Sequence, residues 1–164
     1  MSDSLKNLAT QFFNCGVEGI EPRELECFKN ELERFCDSGK KEDAFSVYYC
    51  YSSIFETFGK ETLSKLIKFL SDHEFHAGEL LKKHRDHYSH SVYVFSLGLA
   101  MYANNKPYRD ALKKFYGEKF TKKDFLNLWG LIGLFHDIGY PFQLAHEQVR
   151  EMMKDVFGIE DVEK

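Results

Sequence analysis

The chain has 164 residues, of which 43% are hydrophobic and 29% are charged, a composition typical of a folded globular domain rather than a disordered chain. Its 22 basic and 26 acidic residues give a net charge of −4, which argues against a protein that binds nucleic acid through bulk positive charge. A ligand that carries phosphate would therefore need a local cationic or metal site.

The N-terminal segment carries no recognisable targeting signal. Residues 1–14 lack the cationic start and apolar stretch of a secretory signal peptide. The longest nearly apolar run, 92–103, is shorter than the ~20 residues that a membrane span requires. The sequence therefore predicts a cytoplasmic protein without a membrane partner.

Four cysteines lie in the first third of the chain: Cys15, Cys27, Cys36 and Cys50. Their spacing contains no C-x-x-C pair of the kind found in zinc knuckles and redox sites. A chain of this length can build its core without a disulfide framework. We therefore predict four reduced and mostly buried thiols.

Helical periodicity dominates the first half of the chain, and no segment alternates with period two. Pro22 suits the first turn of a helix. Four apolar residues then repeat along one helix face: Leu25, Phe28, Leu32 and Phe35. Further apolar stripes follow over 44–58 and 63–70. We interpret residues 1–75 as an accessory helical region, which could also mediate formation of a homodimer.

Two later segments, 91–103 and 125–135, are apolar nearly all round. Helices of this kind lie in the centre of a helical protein and are covered on several sides. Gly130 and Gly133 in the second segment each lower helix propensity by about 1 kcal/mol relative to alanine. We therefore expect another backbone to pack closely against these glycines.

The chain breaks between the two apolar segments, at 104–107, where two asparagines and a proline lie. A short helix containing Leu112 and Phe115 follows. Thr121 and Asp124 then have the spacing of a capping box at the start of the second apolar segment. Together these patterns predict an all-α protein.

Side chains that can bind a metal lie at one end of each apolar segment. The first segment follows Asp86, His87 and His90, and the second is followed by His136 and Asp137. Such groups must be paired or bound when they lie against a core, and metal binding is a common reason to gather them. The adjacent pair projects about 100° apart on an ideal helix, so both side chains reach one site only if the helix frays or kinks. Structural histidines and a capping pair are the alternative.

The two segments resemble the HD superfamily of metal-dependent phosphohydrolases, an all-helical family in which an H…HD…D set binds one or two divalent cations. The resemblance depends on the stretch 87–94, HYSHSVYV, and on the stretch 131–141, LIGLFHDIGYP. It implies an HD-domain-like helical bundle with metal-binding residues over 76–164, to which residues 1–75 add an N-terminal helical layer.

The resemblance also implies roles for individual residues. His90, His136 and Asp137 match the metal ligands of the family. Imidazole and carboxylate ligands do not by themselves distinguish among Mn, Fe, Ni, Co, Zn and Mg. We therefore expect one or two divalent cations of unspecified identity.

The candidate catalytic residues are Asp137, as the carboxylate that holds the metal, and His87 and His146, as proton donors to the leaving group. Lys83 and Arg85 precede the first ligand and are candidates for binding substrate phosphate. A solvated helix face is the alternative interpretation of these two cations.

The implied activity is hydrolysis of a nucleotide or other phosphoester by a metal-activated water. One feature departs from the family, because the last metal-binding Asp usually lies several helices after the HD pair. Only 27 residues follow Asp137, and Asp155 and Asp161 lie too early for that arrangement. We therefore expect a truncated chain whose HD-like core is incomplete at its C-terminus. The alternatives are a catalytically degraded HD-fold module that binds a nucleotide or protein partner without turnover, and a purely structural bundle.

Overall fold

The computed structural model describes residues 3–55 and 87–137, together with the single positions 62, 65, 149, 150, 153, 154 and 158. Within these residues the protein is all-helical and contains no β-strand, which confirms the predicted all-α class. No helix in this part of the chain is both long enough and apolar enough to cross a membrane. The predicted boundary near residue 75 lies outside the described residues.

Six α-helices and one short 3-10 helix make up the two described ranges. Their bounds are Asp3–Thr10 for α1, Gln11–Phe13 for the 3-10 helix, Pro22–Ser38 for α2, Lys41–Phe55 for α3, His87–Asn104 for α4, Lys106–Tyr116 for α5 and Lys122–Phe135 for α6. Helix α4 lies at the centre, where it packs against α1, α3, α5, α6 and the 3-10 helix.

Helix α2 forms as its sequence predicts and joins the core of the later helices. Pro22 is its first residue, and Gly39 ends it with a φ of 63°, donating its backbone N–H to the Phe35 carbonyl at 2.7 Å. All four residues of the predicted apolar face are buried. Phe28 stacks on Phe95 of α4 with the ring centroids 5.7 Å apart. The N-terminal helices therefore share one hydrophobic core with α4 and α6.

The expectation that the two apolar helices are covered on several sides holds for α4, but neither helix is buried all round. Leu97 and Met101 of α4 are 51% and 41% exposed, although Phe95 and Leu99 are fully buried. Ile132 of α6 is 48% exposed. The reason is that α6 packs on α4 and α3, which cover only one side of it among the described elements.

The two glycines of α6 have different neighbours. A Cβ atom at Gly133 would lie 3.1 Å from the Cα of Phe95, so a close backbone approach is confirmed at this position. A Cβ atom at Gly130 would instead overlap the ring of Tyr51. The expectation of a neighbouring backbone is therefore wrong at Gly130, where an aromatic ring of α3 takes the space. The Tyr51 hydroxyl donates to the Asn127 carbonyl at 2.7 Å and so fixes the ring against α6.

Helices α5 and α6 each begin with a side-chain cap. The Asn105 side-chain oxygen accepts from the Tyr108 N–H at 3.0 Å. Thr121 and Asp124 form the complete capping box that their spacing predicts. Helix α5 buries none of its residues, and Phe115 is 81% exposed.

The cysteines are free thiols, but their expected burial is wrong for three of the four. Cys15 and Cys27 are exposed, Cys50 is half-buried, and only Cys36 is buried. Burial of the Cys36 thiol raises its pKa to about 11. Cys27 lies outside the apolar face of α2, which explains its exposure.

Candidate metal centre

Two contacts with α4 and one with α3 hold the C-terminal half of α6 in place. Gly133 lies against the backbone of Phe95, and the Trp129 indole N–H donates to the Phe95 carbonyl at 2.9 Å. From α3, the Tyr48 hydroxyl donates to the Leu134 carbonyl at 2.7 Å. Trp129 is half-buried against the core, as expected for a packing residue. These contacts bring the end of α6 to the start of α4.

Helix α6 ends immediately before the His-Asp pair. Its last residue is Phe135, and His136 and Asp137 form the turn that follows. The His136 backbone N–H still donates to the Ile132 carbonyl at 3.0 Å, so this residue remains fixed to the helix end. Because Asp137 is no longer part of the helix, the 100° separation on an ideal helix does not keep the two side chains apart.

The three predicted metal ligands form one cluster. His90, His136 and Asp137 each offer one ligand atom within 4.8 Å of the others. The rings of His90 and His136 have centroids 5.6 Å apart, and His136 Nε2 lies 3.2 Å from Asp137 Oδ1. Two ligands that bind one cation at ~2.1 Å with tetrahedral or octahedral angles lie about 3.0 to 3.4 Å apart. The separation between His136 and Asp137 therefore fits two ligands of one ion.

The hydrogen bond of His136 selects its ligating atom. His136 Nδ1 lies 3.1 Å from the Gly133 carbonyl oxygen, which can only accept a hydrogen bond. A proton on Nδ1 satisfies this carbonyl and leaves the lone pair of Nε2 facing Asp137 Oδ1 and the cluster. Metal-binding histidines commonly donate their second ring N–H to a backbone carbonyl in this way.

His87 contacts the carboxylate of the cluster. Its Nδ1 lies 3.1 Å from Asp137 Oδ2, and its side chain is only 13% exposed. The two oxygens of Asp137 thus face different histidines, Oδ2 facing His87 and Oδ1 facing His136. The predicted role of His87 in proton transfer stays a prediction, and the structure places it where it positions the carboxylate.

The cluster is accessible from solvent. His90 and His136 are exposed residues, and Asp137 is half-buried. A cation and an anionic ligand can therefore approach the two imidazoles within this part of the chain. Three other predicted site residues lie outside the described residues, namely His146, Lys83 and Arg85, and so do Asp155 and Asp161.

Two supporting groups were not identified from the sequence. The Gly133 carbonyl orients His136, and the Tyr48 hydroxyl holds the last turn of α6. A backbone carbonyl leaves no signal in residue type, and Tyr48 was visible only as one member of an apolar stripe.

Comparisons with family models, curated proteins and solved structures found no match to this chain. Its function is therefore argued from the chemistry of the cluster and from the resemblance of its motifs.

Proposed function

We propose that this chain is an HD-type metal-dependent phosphohydrolase that acts on a nucleotide or another phosphoester. One observation carries the proposal. His90 and His136 are 46 residues apart in the sequence, yet they and Asp137 offer ligand atoms within 4.8 Å of one another. These are the three residues that the resemblance assigns to the metal.

The chemistry of the donor set fits a divalent transition metal. Two imidazoles and one carboxylate are ligands that suit Zn²⁺, Fe²⁺, Mn²⁺, Co²⁺ or Ni²⁺. The Gly133 carbonyl accepts a hydrogen bond from His136 when the ring proton is on Nδ1, and in that tautomer Nε2 is the ligand atom. Three protein ligands leave coordination positions for water and substrate, as catalytic sites require and closed structural sites do not.

The residues of the chain have separable tasks in the proposed reaction. When bound, the cation supplies Lewis acidity and an activated water for attack on phosphorus. His87 fixes the rotation of the Asp137 carboxylate through the hydrogen bond to Oδ2, so that Oδ1 faces the cluster. The exposed rings of His90 and His136 leave a path for the phosphoester.

One observation favours the second candidate, a degraded HD-fold module that binds without turnover. The cluster found among the described residues contains a single carboxylate, whereas the family set has two. A weaker ligand set would bind a cation and a nucleotide while lacking the second acidic group.

Metal content and turnover test the proposal together. We expect untagged protein to purify with stoichiometric divalent metal by elemental analysis and to hydrolyse members of a phosphoester panel when Mn²⁺ or Co²⁺ is added. His136→Ala and Asp137→Ala should lose both properties and keep their helical circular dichroism. Asp110→Ala, which removes an exposed carboxylate of α5, is the matched control.

The outcomes separate the candidates. Stoichiometric metal without turnover on any phosphoester would favour the binding module. Full metal retention in both ligand variants, or wild-type protein that binds no added cation, would contradict a metal centre at this position.

A further inference from the structure

Two cysteines from different helices contact each other and are not part of the cluster of His90, His136 and Asp137. Cys27 of α2 and Cys50 of α3 have their Sγ atoms 3.9 Å apart, a sulfur–sulfur hydrogen-bond contact. Cys27 is exposed and Cys50 is half-buried. A reagent in solution therefore reaches Cys27 first, and Cys50 lies directly behind it.

An open cavity of about 330 Å³ adjoins the pair. Besides the two cysteines, its wall consists of Arg23, Glu24, Tyr49, Ser53 and Ile54. This volume is at the lower end of the range for small-molecule sites, which is about 300 to 1,000 Å³. An arginine and a glutamate at the wall complement a ligand that carries both a carboxylate and an ammonium group.

The two thiols differ in their chemistry. Burial, followed by the neighbouring Cys27 sulfur, raises the pKa of Cys50 to about 12. Cys50 is therefore a protonated thiol at neutral pH and is poorly suited to attack an incoming reagent first. Cys27 reacts first because it is the more exposed of the two thiols.

We propose that Cys27 and Cys50 form a thiol–disulfide exchange site for a low-molecular-weight peptide disulfide of the glutathione type. In the first step the Cys27 thiolate attacks one sulfur of the small disulfide, forms a mixed disulfide and displaces one peptide thiolate. In the second step Cys50 loses its proton to solvent and attacks Cys27 Sγ, which displaces the second peptide thiolate. The chain thereby loses two protons and two electrons, and the small disulfide is reduced to two thiols.

The short distance between the two sulfurs favours the second step. A disulfide needs its sulfurs at about 2.05 Å, so each Sγ has to move by roughly 1 Å. Rotation about the Cα–Cβ bonds of two side chains that border an open cavity supplies this movement. The product ties α2 to α3 across 23 residues of sequence.

The experiment uses the full chain with Cys15→Ser, which removes the other exposed thiol. The protein is incubated with glutathione disulfide, quenched with N-ethylmaleimide and mapped by mass spectrometry of its peptides without reduction. We expect two of the three remaining thiols to disappear and a linked Cys27–Cys50 peptide to form within a monomer. Dithiothreitol should restore both thiols.

Two variants separate the steps. Cys50→Ser should retain one glutathione on Cys27, because the resolving thiol is absent. In the Cys27→Ser variant, glutathione disulfide should modify Cys50 at least 10-fold more slowly than it modifies Cys27 in the parent.

Three results would overturn the proposal: separate glutathione adducts on Cys27 and Cys50 in the parent, full recovery of both as maleimide adducts, or a disulfide between two chains. The peptide map of the parent decides among these without any substitution in the pair, so a variant that fails to fold does not weaken the test. The outcome of this disulfide experiment is independent of whether the protein binds metal or hydrolyses a phosphoester.

Discussion

The two ends of helix α6 each have an aspartate, and the two aspartates have different kinds of partner. At the N-terminal end, Asp124 accepts hydrogen bonds from the Thr121 N–H at 2.8 Å and the Thr121 hydroxyl at 2.7 Å. At the C-terminal end, Asp137 contacts His87, which lies 50 residues earlier in the chain. The hydrogen bonds of Asp124 form within one helical turn, whereas the contact of Asp137 with His87 depends on the packing of α6 against α4.

The sharpest test of this difference is the same substitution at both ends. Asp137→Asn removes the charge of a proposed ligand, so we expect the affinity for Mn²⁺ or Co²⁺ to fall by at least about 100-fold in a calorimetric titration. Asp124→Asn should leave the affinity unchanged within about twofold, because its carboxylate contacts only the cap. Equal affinities in the two variants would contradict the assignment of Asp137.

Gly130 lies between the two ends of α6, and a substitution there measures how closely Tyr51 of α3 packs against α6. Gly130→Ala places a methyl group in the ring of Tyr51, so we expect a loss of about 2 kcal/mol in the free energy of unfolding by urea titration. Tyr51→Leu provides the matched background, in which the added methyl group should cost less than half as much. An equal cost in both backgrounds would show that the ring does not limit the space.

His87→Ala examines the long-range partner of Asp137. Loss of the hydrogen bond to Oδ2 leaves the carboxylate free to rotate, and we expect the cation affinity to fall about 10-fold. His90→Ala should be more damaging, because it removes a ligand. If the His87 variant were the weaker binder of the two, His87 would itself be a ligand and the cluster would need a different assignment.

The smallest expected effect is the pH dependence of the N-terminal cap. The backbone N–H and the hydroxyl of Thr121 lower the pKa of Asp124 below its ordinary value of 3.8. The charged form is favoured in the folded state, so this stabilisation is present above the unfolded pKa and is lost as the pH falls through the folded pKa.

Wild type should therefore exceed Asp124→Asn by about 0.5 kcal/mol of unfolding free energy at pH 6, since the group is exposed. The difference should shrink below about pH 4. A difference that stays constant down to about pH 2 would exclude the carboxylate charge as its source.

The parts of the fold that were predictable have local causes. Pro22 and the pair Thr121 and Asp124 act within a single turn, and the apolar face of α2 follows from helical spacing alone. The low propensity of Gly130 indicated a close neighbour, but a missing side chain does not reveal whether a backbone or a ring takes the space. The exposure of Ile132 was not predictable either, because it depends on which side of α6 the other helices cover.

The grouping of the three candidate ligands was predictable from the sequence, whereas the groups that support them were not. Spacing placed His90 and the His136–Asp137 pair at helix ends, and the resemblance grouped them; the structure brings their ligand atoms together. The contact between His87 and Asp137 depends on the rotation of α4 about its own axis, which no short motif specifies. The same is true of the Gly133 carbonyl, whose part in orienting a histidine follows from where α6 stops.

The single tryptophan of the chain lies on α6, at its junction with α4. Its indole N–H is bonded to the Phe95 carbonyl of α4 from a position two turns before the end of α6. The fluorescence of this one indole, excited apart from the tyrosines, therefore reports on a single interhelical contact. Separation of the helices would let water reach the ring and shift its emission to the red, so the protein carries its own optical probe of the junction without an added label.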